Sequence, residues 1–361
     1  MTLSALTVEE ISKRFGKTSA LSDVGFDVAE GELVVILGAA GAGKTTTLRT
    51  IAGLEVPDSG RIVVKGRDVT NLEPKDRNLA MIFDNLALYP NKSGFDNIAH
   101  PLRVRKQPTA SIEARVTSVA ATLRVSHVLN RLPATMSGGE RQRVALGRAL
   151  VREPDLFLLD EPLSSLDAML RIELRSELKR MQREHGYAFL LATPDYVEAL
   201  AIADRVVMLI SGAVRQIAPP QLLYDDPVDR DVARFVGAPE INLLRADYDP
   251  AEGGRIRLAD AILPLPPLQR QRLGDVGRSF QAGLRPEHIR LSAPDGATAR
   301  VTDVEALGLQ SVVTFETSGA VLRAVLPATE GRRLRIGDRV GLSFNLERMV
   351  GFESQSGRRI A

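Results

Sequence analysis

The octet GAAGAGKT, Gly38 to Thr45, constrains this chain more than any other stretch. It follows an apolar run, Glu32-Leu33-Val34-Val35-Ile36-Leu37, and precedes a helical pattern from Thr46 to Gly53. The fit to G-x-x-x-x-G-K-[ST] in a strand-then-helix setting predicts a loop whose glycines let the backbone wrap phosphate oxygens. Gly38, Ala39, Ala40, Gly41, Ala42, Gly43, Lys44, Thr45 and Thr46 are the candidate nucleotide contacts, at a helix N-terminus that adds positive potential. Lys44 would reach the β- and γ-phosphates, and the Thr45 hydroxyl would hold Mg²⁺.

The stretch DLFLLDEP, Asp155 to Pro162, supplies a second part. Its apolar residues predict a buried strand that delivers Asp160 to its end as a Mg²⁺ ligand, direct or through water. Glu161 is then placed to orient or deprotonate an attacking water. Two acids after an apolar run could equally be a strand-end salt bridge; the phosphate loop gives them meaning. In MSGGERQRVALGRALVREP, Ser137, Gly138 and Gly139 open a charged helix and form a second anion-binding end. One chain has no evident need for two phosphate cradles about a hundred residues apart. A dimer in which each chain completes the other's site needs both.

Strand and helix patterns alternate through the first two-thirds, which predicts a mostly parallel sheet covered on both sides. Leu170, Leu174, Leu178 and Met181 share one helical face, and Gly186 sits where that helix would end. In FLLATPDYVEAL, Phe189-Leu190-Leu191 reads as a buried strand, and Val197, Leu200 and Ala201 as a helix's apolar face. After Arg234-Phe235-Val236-Gly237 the pattern turns to short strands. Val340, Leu342, Phe344 and Leu346 alternate as a half-buried strand, while LPLPPLQ (263–269) and RIGDRV (335–340) read as loop and turn. The expected organisation is an α/β P-loop nucleotide-binding domain over 1–235, with a helical subdomain over about 87–151. A small all-β domain, barrel-like, follows over 236–361.

Net charge is +2, so no strong field points to nucleic acid or an anionic membrane. There are no cysteines, which removes disulfides and thiolate metal sites. His100, His127, His185 and His288 lack metal spacing and read as surface or packing residues. The start MTLSALTVEE lacks a signal-peptide pattern, and no run approaches the roughly 18 apolar residues of a membrane span. Any membrane connection is therefore expected through a partner.

The order of phosphate loop, SGGERQRVALGRAL, FLLDEPLSSLD and LLATPDYVEAL resembles the ATP-binding subunits of ABC transporters. MIFDNLALYP, FVGAPEINLL, GLRPEHI and GFESQSGRR are similar to the subgroup serving carbohydrate and polyol importers, including the maltose and glycerol-3-phosphate systems. The resemblance implies an OB-like regulatory domain at the C-terminus, ATP and Mg²⁺ as cofactors, and ATP hydrolysis coupled to import of a sugar, glycerol or related solute. It implies that Phe15 stacks on adenine and that Ser137, Gly138, Gly139, Glu140 and Asp167 serve the partner chain's nucleotide. Leu86 to Pro90 would help form the groove for a helix of the membrane subunit. The implied assembly has a second ATPase subunit, two membrane-spanning permease subunits and an extracytoplasmic solute-binding protein. That places the chain peripherally on the cytoplasmic face of the inner membrane.

Three positions depart from the family's pattern. Asp84 of MIFDNLALYP stands where glutamine is usual; it could still hold the metal but loses the amide donor and adds charge. Pro194 stands where a histidine usually contacts the γ-phosphate, and proline has no group to replace it. Glu140 stands where glutamine is commonest, a milder change. The main expectation is a degenerate subunit paired with a different, complete ATPase. A homodimer using Asp84 in place of glutamine, a non-hydrolysing structural subunit, and a soluble ABC ATPase unconnected with transport are the alternatives. Lack of coiled-coil insertions and zinc-binding cysteines speaks against the last.

Overall fold

The computed structural model describes residues 4–83, 86–164, 167–251, 254–274, 278–293, 297–317 and 319–360. Contacts divide the chain into Met1–Pro220 and Gln221–Ala361. The strands of the first unit are β1 (Ser4–Phe15), β2 (Thr18–Ala29), β3 (Leu33–Leu37), β4 (Ser59–Val64), β5 (Arg67–Asp68), β6 (Leu79–Ile82), β7 (Leu156–Asp160), β8 (Phe189–Thr193), β9 (Arg205–Ile210) and β10 (Ala213–Ala218). Its helices are α1 (Lys44–Ala52), α2 (Gly94–Val104), α3 (Thr109–Thr122), α4 (Gly138–Leu150), α5 (Ala168–His185) and α6 (Tyr196–Ile202).

The sheet order β10-β9-β3-β8-β7-β6 is parallel except for β10 at one edge. β3, β7 and β8 are buried at every position, as continuous apolar runs covered on both faces must be. A second, antiparallel sheet has the order β2-β1-β4-β5. Val8, Ile11, Val24, Phe26 and Ile62 from it share one core with Leu48 and Ile51 of α1 and with Val34, Ile36, Leu158 and Leu190 of the parallel sheet. The phosphate-loop helix is thus held between two sheets. Arg77 is 3% exposed and fixes the far end of that helix. Its guanidinium donates to the carbonyls of Thr50 and Ile51, and to those of Leu72 and Thr70. Gly53 caps α1 at φ 81°, and a Cβ there would lie 2.5 Å from Arg77 Nε.

α5 buries Leu174, Leu178 and Met181 and ends on Gly186 at φ 66°, as its spacing predicts, while Leu170 in its first turn is only half-buried. α6 does not follow its expected face. Val197 is 51% exposed and Ala201 is exposed, while Glu198, Ala199 and Ile202 are buried. Asp195 caps this short helix through the N–H groups of Val197 and Glu198, and the side that turns inward carries a glutamate, which an apolar count leaves out.

The second unit holds two five-stranded antiparallel sheets around a core that includes Leu244, Phe280, Leu284, Val313, Phe315 and Leu342. Leu342 is buried as the alternation predicts, but the strand stops at Phe344 and Leu346 lies in a 3₁₀ turn. RIGDRV makes its turn, with Gly337 at φ 98°. LPLPPLQ is not all loop: Ala261–Pro264 is a strand and Pro267–Leu273 a helix. Proline at the first helical position gives up an N–H that has no partner there anyway.

The units part earlier than the 235/236 boundary read from the sequence. α7 (Pro220–Asp225) and α8 (Arg230–Phe235) lead into the β unit, and Arg285 of GLRPEHI explains why α8 stays with it. Its guanidinium is buried, donates to the carbonyls of Ala233, Val236 and Tyr224, and stacks 4.0 Å from the Tyr224 ring centroid. The C-terminal motif joins the same segment, with Arg230 N donating to Gly357 O and Arg359 N to Val228 O.

Candidate active site

The phosphate loop has the geometry its sequence predicts. A Cβ on Gly38 would lie 2.3 Å from the Leu209 carbonyl oxygen, so only glycine lets the loop leave β3. Gly43 caps α1 at φ 103°, a left-handed backbone that favours glycine. Ala39, Ala40 and Gly41 are exposed, Ala42 is buried, and Thr46 is half-buried in the first turn of α1. Lys44 is 4% exposed; its Nζ donates to the carbonyls of Gly38 and Ala39, 3.1 Å each, and lies 3.5 Å from Glu161 Oε1.

Thr45 Oγ1 donates to Asp160 Oδ1 at 3.1 Å, across the ends of α1 and β7. A hydroxyl and a carboxylate oxygen at this separation suit a hard cation that completes its shell with phosphate oxygens and water. No group of three or more histidine, cysteine or acidic side chains able to hold a metal occurs among the described residues. A cation here therefore depends on the nucleotide's own oxygens. Glu161 follows at φ 46°, a left-handed backbone for a non-glycine residue, with its N–H held by the Ala192 carbonyl at 2.9 Å. Its side chain is only partly exposed, beside Lys44.

Pro194 lies exposed between β8 and α6, and the corner is complete without it. Asp195 caps α6, its Oδ1 accepting from the N–H groups of Val197 and Glu198. Beneath that corner Glu198 is 6% exposed, and burial, the largest cause, raises its pKa. The folded state therefore holds the Glu198 proton more tightly than the unfolded chain. Its contribution to stability is full below the ordinary glutamate pKa and is lost as pH rises through the folded value. Glu198→Gln should then raise urea-unfolding stability more at pH 7 than at pH 4. An equal change at both would show that the carboxyl is not held in this way.

Phe15, at the end of β1, is 48% exposed with Lys13 Nζ 5.3 Å from its ring centroid, an open face fit for stacking. Ser137 caps α4: its Oγ accepts from Glu140 N, while Glu140 Oε2 accepts from Ser137 N, a closed capping box. A Cβ on Gly139 would lie 2.7 Å from Leu170 Cδ2, whereas Gly138 has ordinary room. Among the described residues, no hydrogen bond or ion pair joins Ser137–Glu140 to the phosphate loop. Asp167 is exposed and caps α5 through Leu170 N. Asp84 lies outside the described residues.

Sequence reasoning passes over two side chains that organise the site. Gln142 of α4 is 2% exposed, and its amide donates to the Pro162 carbonyl, joining α4 to the turn after Glu161. Arg148, also on α4, donates to the carbonyls of Leu86 and Ala87, both at positive φ. Tyr89 and Arg148 line a groove of about 510 Å³ with Met81, Pro101, Val104 and Arg152. The spacing of α4 shows its buried face but not which loop a polar residue on it will reach.

A family model described as "ABC transporter" matches residues 21–164, and one described as "TOBE domain" matches 282–352. The chain is 38% identical over 375 residues to the trehalose/maltose import ATP-binding protein MalK of Thermococcus litoralis, covering 99% of this chain and all of that one. It is 40% identical over 361 residues to the sn-glycerol-3-phosphate import ATP-binding protein UgpC of Paracoccus denitrificans, covering 99% of each. Among solved structures it resembles cbiO1 of Clostridium perfringens, part of an ABC transporter complex, at a TM-score of 0.58 and 27% identity over 63% of this chain and 94% of that one. A dimeric ATP-binding cassette in a post-hydrolysis state, bound to ADP and Pi, matches at a TM-score of 0.54 and 25% identity over 60% and 98%. With phosphate loop, Asp160-Glu161 and the Ser137 helix in place, the chain belongs to the ATP-binding subunits of ABC transporters, with a C-terminal TOBE domain.

Proposed function

We propose that this chain is the ATP-binding subunit of an ABC importer for a sugar, glycerol or another polyol, or a phosphorylated relative, and the weaker half of an unequal ATPase pair. The relatives named for trehalose/maltose and glycerol-3-phosphate import support the solute class. ATP sits on Gly38–Thr46 with Phe15 against the base, and Mg²⁺ is held by Thr45 and Asp160, with Glu161 toward the attacking water. No described helix is long and apolar enough to cross a membrane. In this reading permease subunits supply the anchor at the cytoplasmic face. The groove beside Tyr89, with Lys75, Arg105, Arg148 and Arg152 around apolar Met81 and Val104, suits an amphipathic permease helix carrying acidic residues. An extracytoplasmic binding protein delivers the solute.

One observation carries the unequal pair. Asp195 caps α6 as in an ordinary strand–helix corner, yet the exposed position between β8 and α6 holds Pro194, which offers no donor. The Ser137 helix, which serves the neighbouring subunit, is complete. Restoring Asp84→Gln with Pro194→His should therefore raise steady ATP turnover of the purified chain by roughly tenfold or more. In the assembled transporter, removing the catalytic carboxylate of the second ATPase subunit should stop transport. Steady turnover by the unaltered chain alone, equal to that of the double variant, would favour a homodimer and sink the unequal pair.

A further inference from the structure

Glu140 sets an electrostatic problem that its neighbours answer. It stands at the third position of α4, in the turn whose free amides make the helix end attractive to anions. Ser137 N is already occupied by Glu140 Oε2 at 2.7 Å, which leaves the amides of Gly138 and Gly139 and the Ser137 hydroxyl proton for a ligand. A carboxylate in that turn favours the helix by the same field that draws phosphate, so the two compete for one end. Glu140 is ionised: its pKa is lowered, first by the Ser137 N–H.

Its second oxygen faces a histidine and an arginine from the preceding loop. His127 Nε2 lies 3.1 Å and Arg131 Nη1 3.5 Å from Glu140 Oε1, with the Glu140 side chain 15% exposed. Both come from the segment between α3 and α4. Among the described residues, neither has another ion-pair partner. Arg131 Nη1 and Ser137 N thus hold one oxygen each, with the acid drawn back onto its own loop.

We propose that Arg131 and His127 are positioning residues, Arg131 offsetting the charge of Glu140 and His127 holding its carboxylate by a hydrogen bond, so that a helix end carrying its own carboxylate still accepts the phosphate of the neighbouring subunit's nucleotide. This rests on reading Ser137–Gly139 as the end that takes that nucleotide. Without these two side chains, the carboxylate's charge projects over the amides of Gly138 and Gly139 and repels the γ-phosphate. Both contacts are partly exposed and screened, so each side chain contributes modestly.

The test is a double-mutant cycle in the assembled transporter, reading kcat/KM for ATP. Arg131→Met is expected to lower kcat/KM about fivefold in the native background, and His127→Gln about twofold. In a Glu140→Gln background, where no charge needs neutralising, both effects should shrink to less than about 1.5-fold. That rescue separates compensation from a packing role, which would cost the same in either background. Equal losses in the native and the Glu140→Gln backgrounds would overturn the proposal. Gly138→Asp is the control on the underlying reading. If turnover survives it, the helix end takes no phosphate and the proposal falls with that reading; if turnover is lost and the cycle shows no coupling, only the compensation is wrong.

Discussion

Gly138→Asp should abolish ATP turnover by the assembled transporter, by roughly a hundredfold or more, and leave the chain folded. A Cβ at 138 meets nothing closer than Leu170 Cδ1 at 3.7 Å, and the backbone there is not left-handed. An aspartate in the first turn of a helix is mildly favourable, by roughly 0.5 kcal/mol. The same carboxylate would occupy the space and the field that a phosphate needs. Thermal unfolding should therefore shift by no more than a degree or two, while transport and ATP turnover are lost. Binding of ATP to this chain's own phosphate loop should persist, since no described hydrogen bond or ion pair links the two. Turnover within about threefold of the native level would show that α4 does not serve a second nucleotide. Gly139 could not make this distinction, because its Cβ would press on Leu170 and disturb packing and function together.

Arg77→Met should cost the first unit roughly 3–5 kcal/mol, since each buried acceptor left unsatisfied costs about 1–3 kcal/mol and partial relaxation recovers some of the sum. Four carbonyls, of Thr50, Ile51, Thr70 and Leu72, accept from this one guanidinium, at 2.8 to 3.0 Å. Methionine fills much of the volume but satisfies none of them. Two of those carbonyls end α1, whose other end carries Lys44 and Thr45, so the loss should also weaken nucleotide binding. At about 2–4 °C per kcal/mol for a unit of this size, calorimetry should show its transition falling by about 10 °C. Lysine is expected to rescue little, because one ammonium cannot fork among four acceptors. A fall of under about 2 °C would mean that water replaces the guanidinium at little cost.

The parts legible in the sequence are those where local geometry leaves no alternative. Gly38 and Gly43 are fixed by a close backbone approach and a positive φ, and such constraints are written residue by residue. Apolar runs mark β3, β7 and β8 for a similar reason, since a fully covered strand tolerates nothing else. Long-range polar contacts are not legible. Arg77, Gln142 and Arg285 each bind carbonyls far away in the chain, and no spacing announces such partners. The face of α6 escapes the sequence because the buried side carries Glu198 while apolar Val197 faces outward, an inversion that apolar counting cannot register. Glu140 and Asp167 read in the sequence only as neighbours of a partner's nucleotide. Both also cap helices, which ties their chemistry to the rigidity of α4 and α5.

The union of α8, Arg285 and the last residues of the chain sets where this protein can be cut and rejoined. Gly237, at φ 128°, would place a Cβ 2.9 Å from Arg285 Nη1, and Gly357 O receives Arg230 N. A chimaera joined at residue 235 would hand Arg285 a helix from another protein and leave the tail without its strand-like partner at 228–230. Grafting a foreign regulatory domain therefore calls for a junction at 220/221, with α8 and the C-terminal motif exchanged as one inheritance.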